Sequence, residues 1–316
     1  MIKRRVPISN KILCITPVKH LSGVFELFDL YGEVIYEPNI KKEELKKILR
    51  DSKIDRIFTN PNKQGFILDE SLLADSSVKI INTCSTGTNH IDMKYCSDNG
   101  IKVWSLTKDM DLINDLPSTS ELAFGLMCSL FRKINPGFES VKKGDWNYEP
   151  FIGKQMKNSS VGIIGFGRLG KMMNIFCEAF GMKTYIYDPY LGYNDLSELL
   201  MCSDAISLHV HVNEETREMI DTKFLENMKK GSYLINTSRG ELVDELSIIK
   251  SIKAGHLSGY GTDVIKDEFG DRSKSDLVEF SKINSNVIIT PHVGGMTWEG
   301  QTKAYKWAIS KFKNIV

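Results

Sequence analysis

Nine short apolar runs alternate with longer mixed stretches along this chain. The runs are 12–16, 56–59, 78–82, 102–104, 161–164, 184–187, 205–209, 233–236 and 287–290, and the mixed stretches include 41–51, 171–180 and 244–254. Three to five apolar residues are too few for a stable helix but suit a strand buried on both faces. The longer stretches suit the crossovers that parallel strands require. This alternation predicts an α/β chain of parallel sheets with helices on both faces. With 316 residues, two domains of ordinary size fit.

Composition removes several function classes. The charge is balanced, 41 basic against 40 acidic residues, so a nucleic-acid partner is not expected. No run approaches the ~18 apolar residues of a membrane span. The basic start Met1-Ile2-Lys3-Arg4-Arg5 is followed by Val6-Pro7-Ile8-Ser9-Asn10-Lys11, which interrupts any signal-peptide core. Six cysteines, at 14, 84, 96, 128, 177 and 202, form no CxxC pair, and several lie in apolar segments. They read as small buried hydrophobes of a reduced, cytoplasmic protein, and no metal site is expected.

The segment Gly165-Phe166-Gly167-Arg168-Leu169-Gly170 follows the run 161–164 and opens a helical stretch. In that context the first glycine permits a tight turn and the second lets backbone approach a pyrophosphate. The third lets helix and strand pack closely. The N–H groups of Arg168 and Leu169 then face the phosphates at a helix N-terminus. Asp188 follows Gly170 by 18 residues, at the end of a strand. An acid there accepts from ribose hydroxyls and repels a 2′-phosphate, which favours NAD over NADP. A helix is predicted from Pro117, with Glu121 near its positive end and Asn135-Pro136-Gly137 as its stop.

Three residues complete a chemical set. Arg239, in Asn236-Thr237-Ser238-Arg239-Gly240, offers a planar fork for a carboxylate. His292, in Thr290-Pro291-His292-Val293-Gly294-Gly295, is a proton donor suited to neutral pH. Glu268, taken alone, is indistinguishable from a solvated acid; beside an imidazole it would fix the tautomer and raise the pKa.

These segments resemble the D-isomer-specific 2-hydroxyacid dehydrogenases, from about residue 82 to the C-terminus. Thr83-Cys84-Ser85-Thr86-Gly87-Thr88-Asn89-His90-Ile91-Asp92 resembles the family's substrate loop. Ser207-Leu208-His209-Val210 resembles the strand end beside the nicotinamide, and Thr216 matches a threonine of the following loop. Gly259-Tyr260-Gly261-Thr262-Asp263-Val264 resembles the strand whose Asp contacts the nicotinamide.

The resemblance implies two Rossmann-like or flavodoxin-like doubly wound domains with a cleft between them. Residues 1–104 plus 291–316 would bind substrate and 105–290 would bind NAD. It implies hydride transfer between the nicotinamide and C2 of a small 2-hydroxy or 2-oxo acid, in a D-3-phosphoglycerate dehydrogenase-like enzyme without a regulatory domain. His292 would serve as acid/base, Glu268 would orient it, and Arg239 with Ser85, Thr86 and Gly87 would hold the carboxylate. Cofactor contacts would come from Gly165, Gly167, Arg168, Leu169, Gly170, Asp188, His209, Val210, Thr216, Thr237, Asp263, Gly294 and Gly295. Homodimers through the nucleotide domain are usual in the family.

Three departures stand out. The acid-Pro pair of the family is Glu268-Phe269 here, which leaves Asp267 as an alternative to Glu268. The proline after the His-Val pair is His211, read as a loop residue rather than a nicotinamide contact. The loop Thr59-Asn60-Pro61-Asn62-Lys63-Gln64 reads as a turn, with Lys63 as a conceivable distal substrate contact. Two other activities stay open: a dinucleotide-sensing interaction protein on the same scaffold, and formate or phosphite as hydride donor.

Overall fold

The protein is described from a computed structural model covering residues 10–61, 65–268, 270 and 274–313. It divides into two compact units, one running to Leu116 and resuming at Met296, the other Pro117–Gly295.

The first unit opens with β1 (Lys11–Cys14), β2 (Glu33–Tyr36), α1 (Lys42–Asp51), β3 (Arg56–Thr59), α2 (Glu70–Leu73), β4 (Ile80–Thr83), α3 (Met93–Asp98), β5 (Lys102–Trp104) and α4 (Met110–Asn114). Its five-stranded sheet runs β2-β1-β3-β4-β5, with every pairing parallel. Side-chain alternation splits β1 between two cores: Ile12 and Cys14 join one cluster, Leu13 and Ile15 the other.

The second unit contains α5 (Ser118–Phe131), α6 (Ile134–Lys142), β6 (Ser160–Ile164), α7 (Arg168–Ala179), β7 (Lys183–Tyr187), α8 (Leu196–Cys202), β8 (Ala205–Leu208), α9 (Thr222–Asn227), β9 (Ser232–Asn236), α10 (Glu245–Lys253), β10 (Leu257–Thr262), α11 (Asp276–Ile283) and β11 (Val287–Ile289). The six-stranded sheet runs β11-β10-β9-β8-β6-β7, again all parallel. Val161 and Ile163 face one core and Ile164 the other. All three are essentially fully buried, each contributing roughly 1.5–3 kcal/mol. In both sheets the chain reverses its direction of travel beside the first strand. That makes two doubly wound folds of flavodoxin-like and Rossmann-like type.

The final helix, α12 (Trp298–Ser310), returns to the first unit. Its Ala304, Tyr305, Ala308 and Ile309 join the Ile12 core. Trp307 Nε1 donates to Asp109 Oδ2 at 2.7 Å, and Asn82 Nδ2 donates to Ala308 O at 2.7 Å.

Three expectations change. Asn135-Pro136-Gly137 does not end the long helix; it lies in the first turns of α6, where a proline's missing N–H costs nothing. The break comes earlier, at Lys133, whose φ of 50° is left-handed. Residues 105–116 belong to the first unit, because Leu106 and Ile113 are buried in its core, and 291–295 belong to the second. Two strands lie outside the nine apolar runs. β2 buries none of its residues fully. In β10, Gly259 and Gly261 break the apolar pattern because added Cβ atoms would crowd Leu130 and neighbouring groups.

Candidate active site

In the second unit the sequence-selected residues gather along the carboxyl edge of the sheet, where parallel α/β folds present ligand sites. Gly165 follows β6 and sits at φ 90°; a Cβ there would lie 2.5 Å from His209 O at the end of β8. Gly165 therefore lets the two strand ends close up at the reversal point. A Cβ on Gly170 would lie 2.0 Å from Gly165 O, so the helix packs on its own turn. Gly167, the N-cap of α7, has open space at its Cβ position. Two of these glycines thus answer to packing, and the third leaves bare backbone at a helix N-terminus headed by Arg168 and Leu169.

Asp188, after β7, accepts from Phe166 N through Oδ2 at 2.8 Å. This fastens the glycine turn and leaves Oδ1 for a ligand. His209 Nε2 meets Ser207 Oγ at 2.9 Å, while its Nδ1 is buried without a partner. Burial pushes the His209 pKa down to about 4, so the ring is neutral at pH 7. Thr237 Oγ1, after β9, is likewise buried and unpartnered. Buried polar atoms rarely stay unsatisfied. Two of them along a sheet edge that also carries a glycine turn, a helix N-terminus and a ribose-type acid fit a dinucleotide. Val210 adjoins Gly165. Thr216 instead holds its own loop: Oγ1 donates to His211 O at 2.6 Å and accepts from Asn213 N at 2.8 Å. His211 is exposed in that loop.

Glu268 and His292 are brought together: Nδ1 lies 2.9 Å from Glu268 Oε2. Nδ1 is thereby committed to a carboxylate and Nε2 remains for chemistry. His292 has φ 54°, a left-handed conformation that costs a non-glycine residue energy and persists only where its surroundings hold it. Asp263 supplies that hold. Its backbone O accepts from His292 N at 2.9 Å. Its carboxylate accepts from Val293 N at 2.8 Å, Gly294 N at 2.7 Å and Thr290 Oγ1 at 2.5 Å. Burial raises the Asp263 pKa, and these bonds oppose the rise. Both carboxylate oxygens therefore serve the histidine loop. Gly295 is open at its Cβ position.

Arg239 leaves β9 in a turn built by Asn236, a residue given no role from sequence although it heads the quoted motif. Asn236 Oδ1 accepts from Ser238 N at 3.0 Å and Nδ2 donates to Arg239 O at 2.8 Å. Arg239 Nη1 donates to Ser238 O at 2.6 Å. A Cβ on Gly240 would lie 2.0 Å from Ile265 C, so the arginine turn lies directly on the segment leading to Glu268. Glu245 Oε1, also missed, accepts from Lys266 N at 2.8 Å in that segment.

In the first unit the loop after β4 satisfies itself. Ser85 Oγ donates to Gly87 O at 2.7 Å, Ser85 Oγ meets Thr83 Oγ1 at 2.8 Å, and Thr83 Oγ1 meets His90 Nε2 at 2.9 Å. Thr86 is exposed beside them. Asn62, Lys63, Gln64 and Phe269 lie outside the described residues.

Known proteins resemble this chain over most of its length. A hydroxypyruvate reductase of Thermotoga maritima is 32% identical over 273 residues, covering 84% of this chain and 85% of that protein. A glycerate dehydrogenase of Methylorubrum extorquens is 34% identical over 266 residues, covering 82% and 81%. A solved D-lactate dehydrogenase of Aquifex aeolicus, complexed with NAD and lactic acid, superposes with a TM-score of 0.78 at 27% identity, covering 96% and 94%. Residues 124–294 match the NAD binding domain of the D-isomer specific 2-hydroxyacid dehydrogenases. The chain belongs to that family, as an NAD-dependent oxidoreductase of 2-hydroxy acids.

Proposed function

We propose that the protein reduces a small 2-oxo acid to its D-2-hydroxy acid, and runs the reverse oxidation, with His292 as acid/base, Glu268 orienting it and Arg239 binding the carboxylate. The His292–Glu268 contact at 2.9 Å carries the reading. When bound, NADH supplies the hydride. Protonated His292 gives the proton on Nε2 to the carbonyl oxygen. The neutral ring that remains keeps its Nδ1–H on Glu268, so one tautomer survives each turnover. The planar fork of Arg239 grips the substrate carboxylate and polarises the adjoining carbonyl. Asp188 selects NAD against NADP by repelling a 2′-phosphate. Ser85, Thr86 and Gly87 are assigned to the substrate on their resemblance to the family's loop. The hydroxypyruvate reductase and glycerate dehydrogenase relatives suggest short acids.

The test is NADH oxidation against a graded panel of 2-oxo acids, with His292→Gln beside the wild type. A loss of about 10²–10⁴-fold in the variant supports the assignment. Turnover surviving in His292→Gln places the proton donor elsewhere. NADH binding without turnover on any acid favours the sensing alternative.

The same proposal includes a homodimer and a reducing, cytoplasmic setting. α6 buries none of its residues, and Ile134, Phe138 and Val141 are exposed at helical spacing along it. Trp146 follows, 87% exposed. Such a row suits a partner surface. A monomeric mass in solution at micromolar concentration would remove this part. All six cysteines are free, four of them buried, as a reducing compartment allows.

A further inference from the structure

We infer that Asn236 is a positioning residue for the carboxylate-binding Arg239, and that it acts on substrate and not on cofactor. The inference rests on the role proposed for Arg239. Asn236 is the last residue of β9 and fully buried. Its amide is used at both ends within one turn: Oδ1 takes Ser238 N at 3.0 Å, and Nδ2 gives to Arg239 O at 2.8 Å. Tyr260 OH, from β10, stands 3.4 Å from the same Nδ2 and limits its movement. Ser238 Oγ ties the turn to the end of β8 through Leu208 O at 2.8 Å.

The side chain thus replaces the strand partners that the backbone loses where β9 ends. It fixes the direction in which Arg239 leaves the sheet. An amide is required for this. An aspartate keeps the acceptor for Ser238 N but turns a second acceptor toward Arg239 O. The next residue admits little relaxation, because Gly240 already abuts the Ile265 backbone. A slipped turn therefore displaces the guanidinium directly, and displacements of about 1 Å at a reacting site cost up to about 100-fold in rate.

The experiment is a double-mutant cycle with Asn236→Asp and Arg239→Ala, read as kcat, KM for the best 2-oxo acid, and NADH affinity. Asn236→Asp is expected to lower kcat/KM by about 10- to 100-fold, chiefly through KM, with NADH affinity within twofold of wild type. In the Arg239→Ala background its effect should fall to within about twofold. An equal loss in both backgrounds, or wild-type kinetics in the single variant, overturns the inference. Wild-type kinetics in Arg239→Ala alone would instead overturn the role of Arg239. If Asn236→Asp does not fold, Tyr260→Phe is taken through the same cycle. Its smaller loss must also vanish with Arg239.

Discussion

The two sheets share one topology and use their carboxyl edges in opposite ways. Each reverses its winding beside its first strand, which opens a crevice at the strand ends. In the first unit that crevice is filled. Tyr305 of α12 packs edge-on against Phe58 of β3, with centroids 5.8 Å apart. Its hydroxyl lies 3.4 Å from Asn60 Nδ2 and bonds the Thr16 side chain, so it closes the gap between the ends of β1 and β3. In the second unit the same place holds Gly165, a helix N-terminus and the buried, unpartnered Nδ1 of His209. Topology supplies a crevice; the residues at the turn decide whether it becomes core or site.

The largest effect that bears on this contrast is at Gly170. Gly170→Ala forces a methyl to within 2.0 Å of Gly165 O, and about 1–3 kcal/mol of stability should be lost, seen as a lowered urea midpoint. Gly167→Ala meets open space. It should leave the midpoint alone and weaken NADH by about tenfold, roughly 1.4 kcal/mol. If the two variants behave alike, the division of labour among these glycines is wrong.

Asp188→Ala comes next. It should weaken NAD by about tenfold while leaving NADP within about threefold. Equal losses for both would mean that the acid only fastens Phe166.

Tyr305→Phe probes the filled crevice. Losing the hydroxyl should cost about 0.5–1.5 kcal/mol of stability without moving NADH affinity. A fall in NADH affinity would show that the two edges are not independent.

A further effect lies at the amino edge of the second sheet, where Asp204 is closed in by charge. Burial pushes its pKa up, but Lys154 at 2.5 Å and Lys229 at 2.7 Å outweigh that and hold it at about 2, well below the usual carboxylate range. A depressed folded-state pKa contributes stability above pH ~4 that is lost as pH falls toward 2. Denaturation midpoints between pH 5 and about pH 2 should therefore fall less steeply in Asp204→Asn than in the wild type. Unchanged slopes would assign the acid lability to other carboxylates.

The sequence exposed what local chemistry dictates. Apolar runs such as Val161-Gly162-Ile163-Ile164 mark strands buried on both faces, and the glycine spacing marks the phosphate turn. It hid what depends on packing. Leu257-Ser258-Gly259-Tyr260-Gly261-Thr262 lacks an apolar pattern because its glycines make room for neighbours, so only its resemblance to a family strand marks it. Asn135-Pro136-Gly137 carries breaker residues, yet a proline in a first helical turn breaks nothing. Arg239 and His292 are legible as residue types suited to the chemistry, whereas Glu268 stands out only through the family resemblance. Asn236, Glu245 and the bonds of Asp263 to the histidine loop are not legible, since a side chain serving as a backbone partner leaves no periodic trace.

The return of α12 sets an order of biosynthesis. The first unit is begun first on the ribosome, yet Tyr305, Ala308 and Ile309 of its core arrive only after the whole second unit has been made. At about 5–20 residues per second, the roughly 180 intervening residues take on the order of 10–40 s. During that time the first sheet, with all five strands already made, must wait with one apolar face only partly covered while the younger unit folds ahead of it. Protease resistance in ribosome-bound chains should therefore appear for residues 117–295 before it appears for 10–116, and the reverse order would refute this sequence of events.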